Sequence, residues 1–190
     1  MIKALVFDCF GVFYVDPVFA YMREPTTLPE KARALHDLDI QAAYGLLDKP
    51  GFIKQASTLL ARSPAEIEEQ FFRGHVRNKQ LVAFAEQARK HYKVALLSNI
   101  GSDMMDGFFS IAERQSLFDT VVISGEVGLA KPDPAIFRLT CEQLGVTVNE
   151  AVMIDDMPGN VTAAEQLGMH GICYTDFVQF KQELDALLAH

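Results

Sequence analysis

Short apolar runs alternate along the chain with segments whose apolar positions recur every three or four residues. The runs are typical of buried strands and the periodic segments of amphipathic helices, and their alternation indicates a parallel α/β sheet. We predict an α/β fold with a doubly wound, mainly parallel five-stranded sheet. The predicted strands cover residues 2–7, 93–98, 120–124, 151–155 and 171–174.

Capping residues mark the ends of several predicted helices. Asp133-Pro134 predicts an N-cap followed by Pro at the first helical position, and Gly145 predicts the end of that helix. Other predicted helices cover residues 79–92, 158–168 and about 177 to the C-terminus.

Residues 16–78 interrupt the alternation, because they contain helical patterns but no strand-like run. Ser63-Pro64-Ala65-Glu66 is a capping box with Pro at the first helical position, which marks a helix start. We therefore predict a small all-helical insertion at 16–78, and a core built from residues 1–15 and 79–190.

Composition narrows the classes of function. Apolar residues make up 49% of the chain, but no apolar stretch approaches the roughly 20 residues of a membrane span, and no signal peptide is apparent. A net charge of −8 argues against a nucleic-acid partner. The odd cysteine count (Cys9, Cys141, Cys173) favours reduced thiols. We expect a cytoplasmic protein without membrane or nucleic-acid partners; its oligomeric state is left open.

Chemically capable residues follow the predicted strands, at the edge where ligands bind in open α/β sheets. They are Asp8, Ser98, Asn99, Lys131, Asp155, Asp156 and Asn160. Such a set suits phosphoryl transfer: a carboxylate nucleophile divides the displacement into two steps. A hard cation held by carboxylates and a fixed lysine neutralise the phosphate charge.

Four motifs carrying these residues resemble the haloacid dehalogenase (HAD) superfamily, in the subgroup with a helical cap after the first motif. They read FDCFGV, LLSN, GLAKPDPAIF and MIDDMPGNVTAAEQLGM, in that order. The chain is most similar to small sugar-phosphate phosphatases of this subgroup, which share GxxKPxxxIF and DDxxxN. The resemblance implies a Mg²⁺-dependent phosphatase acting on a small phosphomonoester, with residues 16–78 as the cap.

The resemblance also implies a magnesium site. Asp8 is then both nucleophile and metal ligand, and the backbone carbonyl of Phe10 is a second ligand. Asp156 binds the metal directly and Asp155 mainly through water, or the reverse. Asn160 orients that loop or the Lys131 side chain.

The resemblance further implies that the remaining motif residues bind the phosphate. Ser98, with Asn99 beside it, holds the phosphoryl group, and Lys131 steadies the charge of the nucleophile and the phosphate. The segment from Gly11 to Val15 is expected to form a short turn and hairpin that lets the cap open and close.

Phe10 departs from the family pattern, because most phosphatases of the superfamily carry a second Asp there as general acid and base. The absence of this second Asp predicts a slow or leaving-group-selective phosphatase, since general acid–base catalysis contributes roughly 10²–10⁴-fold to the rate. A 2-haloacid dehalogenase also needs no such acid, but Asp155-Asp156 favours a metal site. A catalytically silent phosphate- or partner-binding domain is the third possibility.

Other conspicuous residues have ordinary explanations. We expect Cys9 to pack as a small apolar side chain and Phe71-Phe72 to lie on a buried helix face. Surface positions are expected for Arg23, Arg73 and Arg77, with one of them able to reach a substrate anion. The five histidines, which have no ligand spacing and are assigned no metal, are His36, His75, His91, His170 and His190.

Overall fold

A five-stranded parallel sheet forms the centre of the protein in a computed structural model that describes residues 1–73 and 75–189. Gly74 of the predicted insertion and His190 lie outside the described residues. The strands have the spatial order β3-β2-β1-β4-β5, and all four pairings are parallel. They are β1 Ala4–Phe7, β2 Lys93–Ser98, β3 Thr120–Ile123, β4 Ala151–Asp155 and β5 His170–Cys173. The predicted fold class is confirmed.

Helices connect the strands and form the segment after β1. They are α1 Pro17–Met22, α2 Pro29–Ala43, α3 Lys49–Leu60, α4 Pro64–Phe72, α5 Lys79–Ala88, α6 Ile111–Leu117, α7 Ser124–Val127, α8 Pro134–Leu144, α9 Pro158–Leu167 and α10 Phe177–Leu188. Among the described residues, no helix is long and apolar enough to cross a bilayer.

The capping signals place several helix ends correctly. Ser63 and Glu66 form the reciprocal capping box of α4, and Asp133 caps α8 through the Ala135 amide. Gly145 ends α8 in the left-handed conformation that glycine adopts without steric cost.

One helix end and two helices differ from the prediction. The helix predicted at 79–92 ends at Ala88, because the chain turns before β2. Helices α6 and α7 were not predicted, although Ser110 and Glu113 form a capping box at the start of α6. That signal was present in the sequence, but the helix is short.

The two faces of the sheet are both covered, as expected of a doubly wound fold. Alternate residues of β1 belong to separate core clusters: Leu5 and Phe7 face one side, and Ala4 and Val6 face the other. Phe180 and Leu184 of α10 pack in the first cluster. In the second, side chains of α8 and α9 cover the sheet.

Residues 17–72 contain four helices and, in the part of this segment that the structure describes, no strand. Phe52, Ile67 and Phe71 are buried among these helices, and Phe52 and Phe71 make an edge-to-face contact. The helical content matches the prediction for 16–78. The division into a core and a cap remains a prediction.

The two segments that join these helices to the sheet lie side by side. Tyr14 pairs with Arg77 in an isolated antiparallel bridge, and the Asn78 amide donates to the Phe13 carbonyl at 2.8 Å. Of the short turn and hairpin expected from Gly11 to Val15, the turn is present but the hairpin is not. A single parallel bridge between Phe10 and Tyr14 closes the turn.

Candidate active site

Three adjacent strands bring the predicted site residues together at their carboxyl ends. Asp8 follows β1, and its amide donates to the Ile154 carbonyl of β4 at 2.9 Å. Ser98 ends β2 on one side of β1, and Asp155 ends β4 on the other. This juxtaposition follows from the strand order, with β1 at the centre of the sheet.

Lys131 joins two of the carboxylates. Its Nζ lies 2.7 Å from Asp8 Oδ1 and 2.7 Å from Asp155 Oδ2, and its side chain is 1% exposed. Burial lowers the pKa of Lys131, but the two adjacent carboxylates outweigh that effect and hold this pKa above its usual value. Lys131 is therefore a fixed, buried ammonium group beside Asp8.

Asp155 is fully buried, and protein donors occupy both of its carboxylate oxygens. Asn160 Nδ2 donates to Oδ1 at 3.1 Å and to Oδ2 at 3.0 Å, and the Met157 amide donates to Oδ1 at 2.9 Å. Asn160 thus contacts the carboxylate that ends β4. Its role in orienting this loop or the Lys131 side chain remains a prediction.

Asn99 holds the backbone at Lys131 through both ends of its amide. Its Nδ2 donates to the Lys131 carbonyl at 2.8 Å, and its Oδ1 accepts from the Lys131 amide at 2.9 Å. The geometry makes Asn99 a positioning residue for the lysine. Its binding of substrate, as the sequence suggested, remains a prediction.

Asp156 faces the turn after β1, where Gly11 has a φ of +80°. A Cβ atom at Gly11 would lie 2.1 Å from Asp156 Cγ, so any larger residue would displace this carboxylate. Burial, with Asp155 next to it, raises the pKa of Asp156 to about 6. Glycine at this position lets the carboxylate approach the β1 end of the site.

The residues present fit a divalent cation. Carboxylate oxygens of Asp8, Asp155 and Asp156 lie within 4.8 Å of one another. Burial raises the pKa of Asp8 to about 8, with Lys131 opposing and Asp155 adding to the rise. One lysine therefore does not compensate the three carboxylates, and hard cations prefer such oxygen ligands.

The backbone carbonyl of Phe10 is also available to a cation. In the bridge between Phe10 and Tyr14, the bonds run from the Gly11 amide to the Tyr14 carbonyl and from the Tyr14 amide to the Cys9 carbonyl. Neither bond uses the carbonyl of Phe10. The ring of Phe10 packs edge-to-face on Phe108, with centroids 4.7 Å apart.

A cavity of about 940 Å³ opens over this cluster. Asp8, Phe10, Lys131 and Asp156 line it, and so do residues of α1 and α2. A small molecule bound at Asp8 would thus meet both the sheet edge and the helical segment.

A family model for haloacid dehalogenase-like hydrolases matches residues 2–168, most of the chain. The chain belongs to this family. The resemblance inferred from the four motifs is therefore confirmed, and the protein is a HAD-like hydrolase.

Solved structures share the fold of this HAD-like hydrolase. A HAD family enzyme from Bacteroides thetaiotaomicron superposes with a TM-score of 0.77 at 23% identity, covering 92% of this chain and 94% of that one. The same enzyme has been solved in complex with magnesium and inorganic phosphate, at a TM-score of 0.75 and 22% identity, with coverage of 95% and 99%. An L-2-haloacid dehalogenase from Xanthobacter autotrophicus gives 0.64 at 20% identity, covering 98% and 83%. These similarities establish the fold alone.

Relatives by sequence differ in chemistry. A phosphoserine phosphatase from Thermus thermophilus is 37% identical over 112 residues, which cover 56% of this chain and 45% of that protein. An (S)-2-haloacid dehalogenase from Burkholderia cepacia is 26% identical over 81 residues, covering 43% and 35%. The chain spans less than half the length of the first curated relatives that it matches.

Ser98 of this HAD-like hydrolase is fully buried, and its Oγ has no hydrogen-bond partner among the described residues. A buried hydroxyl without a partner carries a desolvation cost. We expect Ser98→Ala to leave the unfolding free energy unchanged or slightly raised, while kcat/KM of the hydrolase falls about 10- to 100-fold. Denaturant unfolding and initial-rate kinetics check this. A purely structural Ser98 would instead lose stability and keep its activity.

Most of the residues that were expected to have only structural or surface roles are located as predicted. Cys9 is fully buried, and burial raises its pKa well above the usual value, so it packs as an apolar residue. Phe71 and Phe72 are buried. Arg77 was not correctly predicted: only 24% of its side chain is exposed, it pairs with Glu113, and it lies over an aromatic ring while lining the cavity.

Sequence reasoning missed the groups on the helical wall of the cavity. These are Asp16, His36 and Asp39. They are joined by Arg23, one of the three arginines expected at the surface with one of them able to reach a substrate anion. The spacing of His36 and Asp39 places them on one face of a helix, but only the fold shows that this face meets the cavity.

Proposed function

We propose that this protein is a Mg²⁺-dependent phosphatase that hydrolyses a small phosphomonoester, such as a sugar phosphate, through an aspartyl-phosphate at Asp8. The observation that carries the proposal is the cluster of Asp8, Asp155 and Asp156 around the buried Lys131 ammonium group. Magnesium, when bound, would lower the charge barrier to attack on an anionic phosphate. The phosphoserine phosphatase relative supports this class of reaction.

In the first step, a carboxylate oxygen of Asp8 attacks phosphorus, and the bond from phosphorus to the ester oxygen breaks. The leaving alkoxide takes a proton from water, and Asp8 carries an acyl phosphate. In the second step, water attacks phosphorus, inorganic phosphate leaves, and the Asp8 carboxylate is regenerated. Lys131 offsets the negative charge in both steps from its position 2.7 Å from Asp8 Oδ1.

Metal binding is assigned to Asp156, Asp8 and the Phe10 carbonyl. Asp155 is the poorer direct ligand, because donors from Lys131, Asn160 and the Met157 amide already engage its oxygens. This division supports the first of the two arrangements that the sequence left open. Ser98 Oγ, which has no partner among the described residues, would donate to a phosphoryl oxygen.

The proposal is tested by phosphate release from activated and unactivated phosphomonoesters, with Mg²⁺ and with EDTA. Turnover that requires Mg²⁺ supports a phosphatase. Halide release from 2-haloacids in EDTA would instead support a dehalogenase, a possibility kept open by the Burkholderia cepacia relative. Binding of phosphate without turnover, even on aryl phosphates, would leave a silent binding domain.

Phe10 places a ring where most related phosphatases carry a carboxyl group, so leaving groups that need protonation are expected to react slowly. We expect Phe10→Asp to raise kcat/KM on an alkyl phosphate about tenfold or more, with a smaller change on an aryl phosphate. Initial rates on both esters measure the difference. Phe10→Asn is the matched control, because it also loses the contact with Phe108 but cannot transfer the proton. Equal effects of both variants would contradict the assigned role.

A further inference from the structure

Helix α2 presents one face to the cavity above Asp8. The α2 residues that line it are His36, Asp39, Ile40, Ala43 and Tyr44. Their spacing of three and four residues is that of a single helical stripe. Leu35 and Leu38, by contrast, are buried in the core. This stripe of α2 is therefore one defined surface of the cavity that Asp8 and Asp156 also line.

Two polar groups on this surface lack a protein partner. Asp39 makes no hydrogen bond or ion pair with any other described residue, and the buried Nδ1 of His36 has none either. Buried polar groups are normally paired, so the unpaired imidazole nitrogen of His36 is unusual. Asp39, on the same helix face, is partly exposed and also lacks a partner among the described residues. Polar groups without a protein partner at a cavity wall can form hydrogen bonds with a bound ligand.

Asp16 connects this wall to the reacting centre. Its side chain caps α1 by accepting from the Phe19 amide at 2.8 Å, and it lines the same cavity. Its negative charge contributes to raising the pKa of Asp39, which burial brings to about 7, and it contributes a smaller rise to Asp156. Asp16 thus lies close enough to influence the charge of both Asp39 and Asp156.

We propose that Asp39 and His36 form a leaving-group subsite, which selects phosphate esters whose leaving group carries hydrogen-bond donors. This inference rests on the proposed phosphatase function. An ionised carboxylate only accepts hydrogen bonds, so Asp39 complements hydroxyl or ammonium groups. The shared chemistry is donation to Asp39, from the hydroxyls of a sugar or from an ammonium group.

The test compares three substrates: a hexose 1-phosphate, phosphoethanolamine and phenyl phosphate, whose leaving group has no donor other than the reacting oxygen. Asp39→Ala is expected to raise KM about 10- to 100-fold for at least one donor-bearing ester. Phenyl phosphate should keep its KM and kcat. Asp37→Ala is the matched control, because Asp37 is exposed on the same helix.

Asp39→Asn separates the two sources of donors. An amide oxygen still accepts from a hydroxyl but has lost the charge that attracts ammonium, so this variant should retain the hexose ester better than phosphoethanolamine. Equal KM changes on all three esters, or none on any, would overturn the subsite.

A binding measurement keeps the subsite distinguishable from the phosphatase proposal. Calorimetry with Mg²⁺ compares the Asp8→Asn variant with the double variant Asp8→Asn, Asp39→Ala. The double variant should bind a donor-bearing ester more weakly and phenyl phosphate equally well. That result supports the subsite even if no ester is hydrolysed. If Asp39→Ala weakens the binding of neither ester, or of both esters equally, the subsite is overturned. Turnover of phenyl phosphate by the wild-type protein would still support the phosphatase.

Discussion

Asp8→Asn is expected to lower Mg²⁺-dependent phosphate release to background, a loss of about 10⁴-fold or more. The amide nearly matches the carboxylate in shape but cannot form the acyl phosphate. The fold should persist, because Lys131 still pairs with Asp155 at 2.7 Å. The neutral amide also avoids the cost of burying a charged group at Asp8, where burial raises the pKa of the carboxyl group to about 8.

Phosphate release from an aryl phosphate, together with denaturant unfolding, measures both parts of this expectation. Asp37→Asn is the control, since it makes the same change at an exposed position of α2. Activity retained by Asp8→Asn above one hundredth of wild type would rule out Asp8 as the nucleophile.

Lys131→Met is expected to destabilise the protein by about 3–5 kcal/mol, because it leaves Asp8 and Asp155 buried without their shared cation. Phosphate release should fall by about 10²-fold or more, since a positive charge beside the nucleophile is lost. Adding Mg²⁺ should recover part of the stability, because a bound cation would replace some of the missing charge.

Urea unfolding with EDTA and with Mg²⁺ measures these effects. Lys181→Met is the matched control: Lys181 pairs with Asp185 on the exposed face of α10, and its loss should cost less than about 1 kcal/mol. In the double variant Lys131→Met, Asp8→Asn, the penalty should shrink because one buried charge is gone. Equal unfolding free energies for wild type and Lys131→Met would contradict the buried ion-pair network.

Short-range physics explains what the sequence predicted well. The strands at 93–98 and 151–155 match β2 and β4 because these residues form buried apolar runs. The caps at Ser63 and Asp133 use hydrogen bonds that span only two or three residues, so their pattern is readable without the fold. The missed α6 had a capping box but too few periodic positions to stand out.

The motif residues are likewise determined by their places at the ends of strands. Asp8, Ser98 and Asp155 end on the same edge because all the strands run parallel. Their common location was therefore predictable. Their partners were not, because Lys131 lies in a loop whose path depends on how Asn99 holds its backbone.

By itself, the sequence determined the α/β class, the helical segment after β1 and the set of carboxylates at the strand ends. Those features depend on local patterns and on the direction of the strands. Only the tertiary structure decided that Asp155 pairs with Lys131, that Gly11 leaves space for Asp156, and that Asp39 lines the cavity. These contacts join residues distant in sequence, so packing decides them.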